Sequence, residues 1–145
     1  MKKYIISGVF WMLLFNVLSP GVLADTKPMV IITHQNVTDS LKKDEIKEIF
    51  LGKKTRWKDN SAILFVVLTD DTVYLTFLKD YVGKTIFQYV NYWKQQVFTG
   101  KGRMPKSFAN SKDVMQFVAD TPGAISFVPE QDVDSKLVKR ITVEP

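Results

Sequence analysis

The apolar run AILFVVL at residues 62–68 is the feature that most constrains the fold of this chain. Seven consecutive apolar residues, several of them β-branched, are typical of a strand that is covered on both faces, as in layered α/β domains. Thr69, Asp70, Asp71 and Thr72 follow it, and all four are residue types that favour the start of a helix. A buried strand followed directly by a helix is therefore predicted.

The same alternation extends along the rest of the chain. Short β-branched or apolar runs predict strands at 29–33, 124–128 and 137–143. Apolar residues at helical spacing predict helices at 41–51, 72–81 and 85–98, and a further helix capped by Asn110 or Ser111. Two glycines and a proline predict a loop at 99–106. The predicted class is α/β, with a mixed and largely covered sheet flanked by helices.

The amino-terminal segment has the layout of a secretory signal peptide. Lys2 and Lys3 precede an uncharged run over 4–24, in which Pro20 and Gly21 come shortly before a small-residue exit at Ala24. This layout predicts cleavage after Ala24, with a single domain over 25–145 and a periplasmic location. A membrane anchor is the alternative, since the run is just long enough to span a bilayer. After cleavage no stable membrane span is expected.

Composition excludes most catalytic chemistry. The chain has no cysteine and one histidine, His34. Thiol catalysis, disulfides and zinc sites built on sulfur are thereby excluded, and a Ser-His-Asp hydrolase is disfavoured. We expect no enzyme activity, no catalytic residues, no metal and no cofactor. The net charge of +5 does not by itself imply nucleic acid, and an exported protein would rarely meet it.

The strongest candidate for ligand binding is the junction formed by Thr69, Asp70, Asp71 and Thr72. Ligands of open α/β sheets bind just beyond the carboxyl ends of strands, and His34, at the end of the first predicted strand, is expected beside this group. Ordinary helix capping by the aspartates is the alternative interpretation. A structural role is the alternative for His34.

Basic segments supply a second candidate surface, for a partner or an anion. Lys101, Arg103 and Lys106 lie in the glycine-containing loop, and Trp57 lies within the basic segment 53–58. A solvated loop is the alternative for the three cations. A tryptophan that anchors a turn against the core is the alternative for Trp57.

Four segments together resemble a known family. They are LKKDEIKEIFLGKKTRW at 41–57, Tyr92-Trp93, FTGKGRMP at 98–105 and VADTPGAISFV at 118–128. They are similar to segments of the phosphate ABC transporter substrate-binding family, which has the type II periplasmic-binding-protein fold. The resemblance implies a single lobe of that fold, in a short form, that binds a solute without catalysing a reaction. Phosphate or another small polar solute, and an ABC permease or other envelope protein, are the partners it implies.

One departure from the family concerns the ligand itself. In the family, the strand matching 62–68 leads into an arginine and a turn rich in serine, glycine and threonine that hold phosphate. Here the turn has two aspartates and no arginine, so phosphate binding does not follow from the resemblance. The alternative function is a periplasmic protein-interaction module that kept the fold and lost the ligand.

Overall fold

The computed structural model describes residues 28–144, in which strands and helices alternate along the chain. The predicted signal peptide lies outside these residues. Within them, no helix is long and apolar enough to cross a membrane.

Within residues 28–144, seven strands form two sheets. The strands are β1 Met29–Thr33, β2 Leu41–Lys42, β3 Leu64–Leu68, β4 Lys106–Phe108, β5 Ala124–Pro129, β6 Lys139–Arg140 and β7 Val143–Glu144. The main sheet has the order β4-β3-β5-β1-β6, and β2 pairs with β7 in a separate sheet. Strand β3 is parallel to β4 and β5, whereas β1 is antiparallel to β5 and β6. The sheet is therefore mixed, as predicted.

In the described part of the chain, four α-helices flank the main sheet. They are α1 Lys43–Phe50, α2 Asp71–Phe77, α3 Ile86–Phe98 and α4 Ser111–Asp120. Asp70, Thr85 and Asn110 cap α2, α3 and α4, because each side chain accepts a hydrogen bond from an amide in the first turn. A wider, π-helical turn continues α2 over Leu78–Val82 and ends at Gly83, whose φ is +70°.

The two faces of the main sheet pack against different helices. On one face an aromatic cluster joins α1, α2 and β5 through Phe50, Phe77 and Phe127. The Phe77 and Phe127 rings are stacked, with their centroids 3.8 Å apart. On the other face lies α4, whose Val114 and Val118 are fully buried. The predicted α/β class and the cover on both faces are confirmed.

Three predictions are wrong in detail where strands form. The helix predicted at 41–51 begins only at Lys43, because Leu41 and Lys42 form β2. The extended segment predicted at 137–143 is divided, because β6 pairs with β1 and β7 pairs with β2. Lys106, predicted as the end of a loop, begins β4, which pairs with β3. All three outcomes depend on strand partners distant in sequence, which hydrophobic periodicity does not report.

Candidate functional site

A cavity of about 450 Å³ lies where β3, β4 and the turn after β5 come together. Leu68 and Asp70 line it from the end of β3, and Asp132 lines it from the turn that follows β5. The segment from Ala109 to Lys112, with Met115, completes it. Because β3, β4 and β5 are parallel neighbours, their carboxyl ends share this edge of the sheet, which is where open α/β sheets bind ligands. We call this cavity the edge cavity.

The start of α4 is fixed against the edge cavity by hydrogen bonds. Asn110 Oδ1 accepts from the amide of Asp113 at 2.9 Å, and the Ser111 hydroxyl donates to Asp132 Oδ2 at 2.6 Å. The amides of Ser111 and Lys112 come first in the helix and have no carbonyl partner within it. This end of α4 therefore presents amide donors and the positive end of the helix dipole.

The charges at the edge cavity are mixed. Asp70 and Asp132 contribute carboxylates, and Lys112 contributes an ammonium group. Asp70 Oδ1 also accepts from the amide of Val73 at 3.2 Å, so the capping role that we considered for Asp70 is confirmed. The cavity therefore combines hydrogen-bond acceptors with hydrogen-bond donors.

The structure divides the four residues of the predicted ligand junction. Asp70 lines the edge cavity, whereas Thr69 lines a smaller apolar cavity of about 160 Å³ with Tyr74 and Tyr89 on the opposite face of the sheet. The Thr69 hydroxyl donates to the Phe108 carbonyl at 3.1 Å. Asp71 is the first residue of α2, and Thr72, which is exposed, follows it. A role of these four residues in binding remains a prediction.

His34 does not lie beside this junction. Its backbone amide donates to the carbonyl of Ala124, the first residue of β5, at 3.0 Å. Because β1 runs antiparallel to β5, the end of β1 meets the start of β5, at the edge opposite the carboxyl end of β3. The expectation that His34 accompanies Asp70 was wrong because it assumed a parallel β1. The His34 Nδ1 instead lies 3.0 Å from the amide of Asn36.

Trp57 is buried and anchors a turn. Its side chain is 5% exposed, and its indole N–H donates to the Gly123 carbonyl at 3.0 Å. Trp57 therefore anchors a turn against the core, which is the second of the two interpretations considered for it. Its ring is not part of an exposed partner surface.

The three cations of the glycine-containing loop separate into two places. Lys101 and Arg103 lie near Lys53, in a groove beside α3. The Lys106 ammonium lies over the Phe117 ring of α4, 4.5 Å from the ring centroid, on the other face of the sheet. The structure therefore brings Lys101 and Arg103 together and places Lys106 elsewhere. A role of these cations in binding a partner or an anion remains a prediction.

Asn110, Ser111, Lys112 and Asp132 were not predicted as site residues. The sequence indicates only that Asn110 or Ser111 caps a helix. That this cap forms the wall of a cavity follows from the pairing of β4 with β3, and a three-residue strand has too few residues to show a period. Among residues 28–144, no group of three histidine, aspartate or glutamate side chains is placed to hold a metal ion.

Several solved structures with a similar fold are described as phosphate-transport proteins. One is an ABC-type phosphate transport receptor from Vibrio cholerae, with a TM-score of 0.60 and 18% identity over 79% of this chain and 45% of that chain. Another, described as a phosphate ABC transporter substrate-binding protein from Clostridium perfringens and solved with bound phosphate, has a TM-score of 0.61 and 22% identity. It is matched over 79% of this chain and 44% of its own.

The chain has the fold of the phosphate-transport substrate-binding proteins. PstS from Borrelia burgdorferi gives a third match, with a TM-score of 0.59 and 15% identity over 80% of this chain and 47% of that one. The chain spans less than half the length of these proteins, which confirms the prediction of a single lobe. No protein-family model matches the chain, and no curated protein is similar to it in sequence.

Proposed function

We propose that this chain is an exported, non-enzymatic solute-binding protein that holds a small polar solute in the edge cavity. The observation that carries the proposal is the position of this cavity at the carboxyl ends of three neighbouring parallel strands. Open α/β sheets bind ligands at such edges. The similarity in fold to phosphate transport receptors supports the same choice.

The chemistry of the cavity defines the class of solute. The first amides of α4 and the Lys112 ammonium favour an anionic group. The carboxylates of Asp70 and Asp132 only accept hydrogen bonds when ionised, so the solute must also bring donors. Phosphate meets both requirements only in forms that keep a hydroxyl hydrogen, and no arginine lines the cavity to offset the two carboxylates. We therefore expect weak binding of phosphate and weaker binding of sulfate, which has no hydroxyl hydrogen near neutral pH.

The single lobe bears on the proposed partners. Two lobes can bury a ligand between them and signal closure to a transporter, whereas residues 28–144 supply one wall of such a cleft. We propose that a second copy or an envelope protein, such as an ABC permease, supplies the other wall. Export through a signal peptide cleaved after Ala24 belongs to the same proposal, and the amino-terminal sequence of the exported protein tests it.

Calorimetric titration with inorganic phosphate tests the solute proposal. The matched variant is Asp70→Ser with Asp132→Asn, because serine keeps the cap of α2 and asparagine keeps an acceptor for Ser111. Removing two nearby negative charges should strengthen phosphate binding about tenfold. Each carboxylate is expected to repel the bound anion by on the order of 1 kcal/mol or less. Sulfate titrated into the wild-type protein serves as the control ligand. Absence of phosphate binding in both proteins would contradict the proposal.

A second candidate function is a periplasmic protein-interaction module that has kept the fold and lost the ligand. The observation that favours it is the groove at Lys53, Lys101 and Arg103, which lies away from the edge cavity. Solute binding that maps to the edge cavity would exclude a module that has lost its ligand. Its absence, together with a partner bound at the groove, would favour the module.

A further inference from the structure

Two basic segments that are distant in the sequence meet in one groove. Lys53 and Thr55 follow α1, and Lys101 and Arg103 lie in the loop between α3 and β4. Together with residues of α3 they line a groove of about 530 Å³. Phe65, at the amino-terminal half of β3, also lines it, so the groove and the edge cavity lie toward opposite ends of the sheet. We call this feature the basic groove.

The floor of the basic groove is aromatic and is held in place by backbone contacts. The Trp93 ring lies between Gly52 and Gly102, where an added Cβ would come within 2.7 Å and 2.9 Å of ring carbons. Tyr92 also lines the groove, and its hydroxyl donates to the Leu51 carbonyl at 2.7 Å. Because only glycine leaves room for the ring at both turns, the two basic segments are brought together by the same side chain.

The charge in the basic groove is of one sign. Lys53, Lys101 and Arg103 line it, and no carboxylate does. Within the described part of the chain, none of these three cations forms a salt bridge, whereas the neighbouring Lys54 pairs with Glu45. Surface cations usually have carboxylates interspersed among them. Three cations without a carboxylate over an aromatic floor are therefore available to an anionic partner.

Exposed apolar side chains lie close in the sequence to residues that line the basic groove. Phe98, at the end of α3, is 92% exposed, and Val97 and Met104 are about half exposed. Phenylalanine, methionine and arginine are enriched in protein interfaces. Apolar side chains that a protein partner could contact therefore occur within two residues of Gln96 and Arg103, which line the groove.

We propose that the basic groove binds an extended, acidic peptide segment of a partner protein. Carboxylates of the segment would pair with Lys53, Lys101 and Arg103. An apolar side chain of the segment would contact the half-buried rings of Phe65 and Tyr92, which line the groove, whereas Trp93 beneath them is buried. A concave groove suits an inserted chain better than the flat surface of a bilayer. The proposal rests on the fold and not on solute binding, so it stands if the edge cavity binds nothing.

Fluorescence anisotropy with a short labelled peptide, rich in glutamate and containing one central phenylalanine, tests this proposal. The test variant is Lys53→Gln with Lys101→Gln and Arg103→Gln. We expect this variant to bind the peptide about tenfold more weakly, because each exposed ion pair contributes modestly. Binding to the wild-type protein should also weaken as salt is raised.

The control variant removes the same charge elsewhere. Lys43, Lys79 and Lys136 are exposed and do not line the basic groove, so their joint replacement by glutamine should leave peptide binding within twofold of wild type. Thermal unfolding checks that both triple variants fold. Equal loss of binding in both variants would show attraction by net charge alone and overturn the proposal. So would failure of the wild-type protein to bind the peptide.

Two other occupants are distinguished by the same variants. The wild-type protein could sediment with anionic phospholipid vesicles, and the variant at Lys53, Lys101 and Arg103 could fail to do so. This result would assign the groove to a membrane surface. Concentration-dependent self-association lost in that variant would assign the groove to a second copy. Either result, without peptide binding, would overturn the proposal.

Discussion

Gly123 connects two of the segments on which the family resemblance rests. Its carbonyl accepts the indole N–H of Trp57 at 3.0 Å, and its φ is +78°. A Cβ at this position would lie 2.3 Å from the Ala62 carbonyl oxygen. The segment at 41–57 therefore contacts the segment at 118–128 through Trp57 and Gly123. This contact gives a physical reason for the presence of both segments.

Gly123→Ala is expected to destabilise the fold by about 3 kcal/mol or more. The substitution adds a steric clash to the strain of a left-handed backbone, which costs roughly 1 kcal/mol by itself. Gly83→Ala is the matched control, since Gly83 has a φ of +70° but no atom within 4 Å of an added Cβ. Urea unfolding measures both variants. Equal destabilisation by the two substitutions would contradict the account of Gly123.

Single residues were predictable from the sequence where their role is local. Asp70 and Asn110 cap the helices that follow them, and capping depends only on the next few residues. His34 was not predictable, because its position depends on the direction of β1 relative to β5. The same holds for Asp132, which reaches the edge cavity only through the turn after β5.

At the scale of elements, α3 is joined to the end of α1 by two tyrosines. The hydroxyls of Tyr89 and Tyr92 donate to the carbonyls of Phe50 and Leu51, each at 2.7 Å. These carbonyls lie at the carboxyl end of α1, where they have no partner within the helix. Tyr89 is 1% exposed, and burial raises the pKa of its hydroxyl above the ordinary value of 10.

The raised pKa of Tyr89 predicts loss of stability at high pH. Above the unfolded pKa of about 10, the unfolded chain releases the tyrosine proton while the folded chain keeps it. The unfolded state then binds fewer protons, so the free energy of unfolding falls as the pH rises. Tyr89→Phe should lower the free energy of unfolding by about 1 to 2 kcal/mol at neutral pH, because a hydrogen bond is lost. Above pH ~10 the free energy of unfolding of this variant should fall less steeply than that of the wild-type protein.

Urea unfolding at neutral and alkaline pH measures this difference. Tyr92→Phe is the control, because Tyr92 makes the equivalent hydrogen bond but is only partly buried. Its removal should change the alkaline slope less than removal of Tyr89. The account of Tyr89 fails if the two variants show the same slope.

Helices and strands were predictable where a periodic pattern of apolar residues extends over many consecutive residues. Helix α3 runs from Ile86 to Phe98, as predicted, because Thr85 caps it and its apolar residues recur at helical spacing. Strand β4 was missed because its three residues are Lys106, Ser107 and Phe108, and only pairing with β3 makes them a strand. The candidate site was thus predictable at Asp70 but not at α4.

At the scale of the whole molecule, the two ends of the sheet have different chemistry. The carboxyl ends of β3, β4 and β5 present Asp70, Asp132 and the start of α4. The opposite end presents Lys53, Lys101 and Arg103 over Trp93. The proposed solute site and the proposed partner site therefore lie toward opposite ends of one sheet.

Mapping of phosphate by amide chemical shifts tests the solute site most directly. Inorganic phosphate is titrated into the wild-type protein and into the Asp70→Ser, Asp132→Asn variant, and each amide resonance is followed. The account predicts shifts confined to residues 69–72, 109–112 and the turn at Asp132, saturating at lower phosphate in the variant. Shifts centred on Lys53, Lys101 and Arg103, or no shifts in either protein, would contradict it.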